Sequence, residues 1–134
     1  MNEAANASRY RIAPGLTARM SDAVRPRDRR LHQGWQFREV YQSGKSFHGS
    51  LMTLVSLPRC PDHGRVAYVA SRKVGPAVRR NRAKRLLRES FRQLTPSVRD
   101  RALWRIWIAR SACALATLAE VSAEMNELLN REPT

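Results

Sequence analysis

Acidic side chains are scarce in this sequence: 11 Asp and Glu stand against 25 Lys and Arg, leaving a formal net charge of +14 over 134 residues. Such a deficit points to a polyanionic partner, either nucleic acid or an anionic membrane surface. Lysine is scarcer still, at Lys45, Lys73 and Lys84 only. Arginine supplies the rest, and its planar fork holds a phosphate by two hydrogen bonds and stacks on bases, which suits nucleic acid. A bias in genomic base composition would give the same preference without functional meaning. The two cysteines, Cys60 and Cys113, form no CxxC pair. The C-x-x-H run Cys60-Pro61-Asp62-His63 has no second tight ligand pair and reads as a hairpin loop. No apolar run is long enough for a membrane span, and there is no secretory leader pattern, so a reducing cytoplasm is the expected setting and no membrane is expected as partner. What remains, 43% hydrophobic residues, is the share of one ordinary domain with a real core.

The positive charge concentrates between Arg72 and Leu94, where nine basic side chains face one acid, Glu89. Yet Ala83, Leu86, Leu87, Phe91 and Leu94 recur at helical spacing. At about 100° per residue, Ala83, Leu87, Ser90, Phe91 and Leu94 share one arc, and Asn81, Arg85, Arg88 and Arg92 line the opposite one. Arg82 and Lys84 flank that stripe. The pattern predicts a helix docked by one side and presenting guanidinium groups by the other. Gly75-Pro76 precedes it and Thr95-Pro96 closes it.

Residues 1–30 show no sustained apolar period and end in Arg25-Pro26-Arg27-Asp28-Arg29-Arg30, which reads as a mobile basic arm. From Leu31 to Ser43 an amphipathic helix is expected, with Gly44 as a left-handed cap. Phe37 and Tyr41, four apart, share a face: they either plug the helix onto a sheet or stack on bases at the lip of a cleft. Lys45 to Gly49 is a short extended piece and Ser50 to Leu57 a strand. The turn-rich Pro58 to Gly64 predicts that Arg65 to Ser71 returns beside it as an antiparallel hairpin. Leu103 to Ala109 is apolar on nearly both faces and reads as an internal strand, its indoles in the core. Thr117-Leu118-Ala119-Glu120 has capping-box spacing ahead of a final helix. The whole is a single α+β domain of two layers, occupying 31–134 after the arm.

A protein nuclease needs grouped carboxylates for metal ions, or a general acid and base pair. Here the acids are scattered. Glu120, Glu124 and Glu127 share a helix face that reads as a solvated one, and no nucleophile motif lies near His32, His48 or His63. No glycine-rich phosphate loop is present. The residues predict strong RNA or DNA binding without catalytic or metal-holding groups of their own.

The run Arg72-Lys73-Val74-Gly75, followed by Val78-Arg79-Arg80-Asn81-Arg82-Ala83-Lys84-Arg85-Leu86-Leu87-Arg88-Glu89-Ser90-Phe91-Arg92, resembles the signature of the bacterial ribonuclease P protein family. The flanking pieces Phe37 to Gly44, Arg65 to Lys73 and Ile106 to Arg110 are similar too, so the likeness covers about residues 31–130. The resemblance implies an α-β-β-β-α-β-α order with the Arg-Asn-Arg helix inside a left-handed β-α-β crossover, a fold shared with a ribosomal protein domain. It implies a subunit of an endoribonuclease that removes the 5′ leader of precursor tRNA, with chemistry belonging to a catalytic RNA and its magnesium ions. No obligate protein partner is implied. Arg72, Lys73, Arg79, Arg80, Asn81, Arg82, Lys84, Arg85 and Arg88 would then bind the catalytic RNA. Phe37 and Tyr41 would line the leader cleft, floored by Met52, Leu54, Tyr68 and Ala70. Arg72 stands where the family more often has lysine. The rival readings are a ribosomal or RNA-chaperone module with no part in cleavage, and a nuclease whose catalytic groups converge only in the fold.

Overall fold

The computed structural model describes residues 29–59 and 63–132. Most of the basic arm and the residues Cys60, Pro61 and Asp62 lie outside them. The elements are α1 (Gly34–Ser43), β1 (Lys45–His48), β2 (Met52–Pro58), β3 (Arg65–Ala70), α2 (Ala77–Arg92), the one-turn α3 (Pro96–Arg99), β4 (Leu103–Ala109) and α4 (Leu118–Arg131). Short 3-10 turns at Arg72–Val74 and Ser111–Leu115 precede α2 and α4. This is the expected α-β-β-β-α-β-α order with one added helical turn, which starts on Pro96, directly after the Thr95-Pro96 stop of α2.

The four strands form one sheet in the order β1-β2-β4-β3. β4 pairs antiparallel with β2, from Met52 opposite Ala109 to Pro58 opposite Leu103, and parallel with β3, from Arg65 opposite Trp104 to Ala70 opposite Ala109. The expected β2–β3 hairpin is therefore corrected. The two strands do run in opposite directions, but β4 lies between them, so they do not pair with each other. β4 can hold the centre because both its faces are apolar, which a strand covered on both sides needs. β3, α2 and β4 form a crossover between adjacent parallel strands.

Register decides what each face carries, since successive side chains alternate sides. Met52, Leu54, Tyr68, Trp107 and Ala109 point to one face, where Ala83, Leu87 and Phe91 of α2 and Val121, Met125, Leu128 and Leu129 of α4 close the main core. The other face carries Val55, Leu57, Ala67, Val69, Trp104, Ile106 and Ile108, and α1 lies over part of it through Val40 and Phe37. Both Trp104 and Trp107 are core residues, as their strand predicts.

Three local details depart from the sequence reading. α1 begins at Gly34, because Gln33 and Gln36 make a reciprocal cap, while Leu31 instead donates its N–H to Val66 O at 3.1 Å and is buried beside the sheet. Gly44 is not left-handed, at φ −80°. Glycine is required there by close approach: a Cβ would stand 2.5 Å from Val40 O and 3.0 Å from Ser56 O. Glu124 is no solvated acid. Its Oε1 accepts from Ser50 N and Ser50 Oγ, and its Oε2 from Leu51 N at 2.7 Å and Met52 N at 3.0 Å, so it caps the turn between β1 and β2.

Candidate nucleic-acid interface

The approach to α2 is set by its backbone. Ser71 Oγ accepts from Lys73 N and starts the 3-10 turn, and Ser111 Oγ donates to Lys73 O at 3.0 Å. Val74 is buried, leaving the side chains of Arg72 and Lys73 in solvent. Gly75 then takes φ 132°, a conformation open to glycine and costly for other residues. Pro76, at φ −66°, caps the helix where no N–H is needed.

Along α2, Ala83, Leu87, Ser90 and Phe91 are buried, and Asn81, Arg85, Arg88 and Arg92 are exposed on the opposite side. The two predicted faces are thus both present. Arg79 is exposed, and Lys84 and Arg80 are half-buried; Arg80 Nε is enclosed without a hydrogen-bond partner. With Arg72 and Lys73 exposed just ahead of the helix, α2 and its approach present a positively charged surface. Its charges cannot neutralise one another, and a phosphate backbone would relieve their repulsion.

The candidates are not equivalent. Arg82 donates Nε to Ala114 O at 2.8 Å and Nη2 to Ala116 O at 3.2 Å, tying the helix to the turn before α4. It is a positioning residue first, although the side chain as a whole stays exposed. Arg92 holds Glu89 at 2.6 Å and 2.8 Å, which quenches the end of the stripe. Arg88 lies 5.7 Å from the centre of the Tyr68 ring, and this cation–π contact steadies the guanidinium without neutralising it.

The aromatic candidates separate. Phe37 is half-buried on the α1 side of the sheet, and Tyr41 keeps 49% of its surface exposed, with burial of the remainder raising its phenol pKa. The expected cleft floor is corrected. Met52 and Leu54 are fully buried on the other face under α2 and α4, Ala70 packs with them, and Tyr68 stands edge-on to Phe91 with centroids 6.2 Å apart. Burial also pushes the Tyr68 phenol far above its ordinary range, against the opposing pull of Arg88 and Arg105. The side chains that share a face with Phe37 are Val55, Leu57, Ala67, Val69, Ile106 and Ile108, of which Leu57, Val69 and Ile108 are half-buried. Sequence could not choose between the sets, because both strands are apolar on both sides; only the register with β4 assigns them.

Every described carboxylate already has work in the fold. Glu132 pairs with Arg105, Glu124 caps the β1–β2 turn, and Glu120 caps α4 through Thr117. Glu39, Glu89, Asp100 and Glu127 pair with Arg59, Arg92, Arg29 and Arg131. No group of three or more His, Cys, Asp or Glu among the described residues is placed to hold a metal ion, and no described helix is long and apolar enough to cross a membrane.

Comparison with known proteins agrees with this geometry. The family model for Ribonuclease P matches residues 26–132, leaving residues 1–25 and 133–134 outside. The ribonuclease P protein component of Dehalococcoides mccartyi is 37% identical over 103 residues, covering 76% of this chain and 82% of the relative. That of Alkaliphilus oremlandii is 34% identical over 102 residues, covering 76% and 89%. Among solved structures, the RNase P protein from Thermotoga maritima superposes with a TM-score of 0.68 at 27% identity, over 78% of this chain and 98% of its own. The Staphylococcus aureus RNase P protein gives 0.67 at 26%, over 77% and 94%. Sequence, sheet order and basic helix together place the chain in the ribonuclease P protein family.

Proposed function

We propose that this RNA-binding subunit of a tRNA-processing ribonucleoprotein works through two surfaces in the cytoplasm. One holds a catalytic RNA; the other holds the single-stranded 5′ leader of precursor tRNA. The observation that carries the reading is the division of α2, whose apolar side is locked in the main core while Arg79, Arg85 and Arg88 stand in solvent with Arg72 and Lys73 beside them. Arg80, Asn81, Arg82 and Lys84 complete that surface. Phe37 and Tyr41 of α1 offer the leader ring faces on which unpaired bases stack.

Bond cleavage is assigned to the RNA partner and its magnesium ions, a reading supported by the structural employment of the described carboxylates. The protein would contribute binding: holding the leader favours precursor over mature tRNA, and the arginines offset phosphate repulsion where RNA meets RNA. Reconstitution tests this. The protein alone should leave precursor tRNA intact, and together with ribonuclease P RNA at low magnesium it should raise cleavage above that of the RNA alone. Cleavage by protein alone, or no stimulation of the RNA, overturns the proposal.

A further inference from the structure

Trp35 stands apart from the other two tryptophans, which are buried, in keeping 43% of its surface in solvent. It is nonetheless held in place. Its Nε1 donates to Gln33 Oε1 at 2.6 Å, and its ring leans on Trp104 with centroids 5.7 Å apart and planes inclined by 59°. Trp104 in turn lies under the guanidinium groups of Arg59, 4.8 Å from the ring centre, and Arg65, at 5.8 Å. Glu39 Oε1 forms an ion pair with Arg59 Nη1 at 2.7 Å, so part of one charge is shared.

This cluster does not belong to the Phe37–Tyr41 pair. The buried side of α1 is marked by Gln36 and Val40. At about 100° per residue, Trp35 and Glu39 fall on one flank of that side, and Phe37 and Tyr41 on the other. A held indole with 43% of its surface in solvent, leaning on a ring that carries two guanidinium groups, matches the two halves of a nucleotide: a neutral ring to stack, and an anionic phosphate.

We propose that Trp35, with Arg59 and Arg65, forms a second stacking site that takes one unpaired nucleotide of the leader RNA. The base lies on the indole and its phosphate faces the arginines. The inference rests on the leader reading above and adds a contact outside the Phe37–Tyr41 flank.

Trp35 also covers Trp104, so the test must separate stacking from cover. Trp35→Leu keeps an apolar lid and Trp35→Phe keeps a smaller stacking ring; both should unfold close to the wild-type temperature. Each is assembled with ribonuclease P RNA and titrated with precursor tRNAs carrying one abasic nucleotide at successive leader positions. With the intact leader, Trp35→Leu should bind roughly 5- to 100-fold more weakly than wild type, and Trp35→Phe should recover most of the loss. At one leader position the abasic substitution should weaken wild type equally and add nothing to Trp35→Leu. A loss that also appears with leaderless mature tRNA, a loss unaffected by every abasic position, or no loss overturns the site. Tyr41→Ala run beside it reports on the leader reading separately: coupling of Tyr41 to a leader position without coupling of Trp35 removes this proposal alone, and no coupling for either removes both.

Discussion

Arg105 and Glu132 meet fork to fork inside the protein: Nε reaches Oε2 and Nη2 reaches Oε1, both at 2.8 Å, with the arginine only 1% exposed. The guanidinium also donates to Arg99 O at 3.1 Å and Val98 O at 2.8 Å, and Ser56 Oγ donates to Glu132 Oε2 at 2.8 Å. The pair joins the central strand to the end of the last helix, and its charges are fully enclosed by partners. Removing one member strands the other. Glu132→Ala should lower stability by about 3–5 kcal/mol in urea unfolding, and replacing both residues by leucine should cost less than either single change. A double mutant that simply sums the two losses would show that the residues do not act as a pair.

Two arginines three residues apart on α2 should behave differently. Arg85 is exposed, so Arg85→Ala should leave the melting temperature nearly unchanged, weaken assembly with the catalytic RNA and reduce the slope of log affinity against log salt by about 1. Arg82 holds the Ala114 and Ala116 carbonyls, so Arg82→Ala should also destabilise the free protein, by about 1–3 kcal/mol. Thermal melts beside salt titrations check the division, and equal melting temperatures for the two variants would contradict it.

Tyr41 tests the other surface. Tyr41→Ala should reduce discrimination between precursor and mature tRNA by about 1–3 kcal/mol and leave assembly with the catalytic RNA nearly intact. Competition binding with the two tRNAs measures the first quantity, and titration with the RNA the second. Loss in the second assay alone would move Tyr41 to the catalytic-RNA surface.

The α2 face, the β4 strand and the α4 cap were all legible in the sequence, for the same physical reason: each is written locally. Period 3.6 fixed the arcs of Ala83 and Arg85, an unbroken apolar run marked Leu103 to Ala109, and Thr117 with Glu120 spelled out a reciprocal cap. Strand order was not local. Pro58 to Gly64 is rich in turn formers whether its flanking strands pair with each other or with β4, and what decides is the long-range register of Leu54 with Trp107 and Tyr68 with Trp107. The misplaced cleft floor follows from that one gap. Glu124 was missed because an acid on a helix flank looks the same in sequence whether water or three backbone amides surround it.

Cys113 gives a pH signature. Its burial, and after it the Glu124 carboxylate, pushes the thiol up to about 11 from an ordinary 9.0, with Arg82 opposing. The fold therefore prefers the neutral thiol. Its contribution is complete below the unfolded value of 9.0 and fades as the pH rises towards about 11. Urea unfolding of wild type and Cys113→Ala over that window should show the wild-type advantage shrinking with rising pH, and a constant difference would refute the assignment.

The place of β4 between β2 and β3 also orders events during synthesis. As the chain leaves the ribosome, β1 and β2 can pair at once, but β3 has no strand to join until residues 103–109 appear. The Arg-Asn-Arg helix emerges before the sheet that must bury Leu87 and Phe91 is complete. Only after α4 follows, bringing Glu124 to the first turn and Glu132 to Arg105, can the structure close. Assembly of this protein therefore waits until α4 has been made, and a growing chain exposes its arginine-rich segment before the sheet that buries the apolar side of α2 is complete.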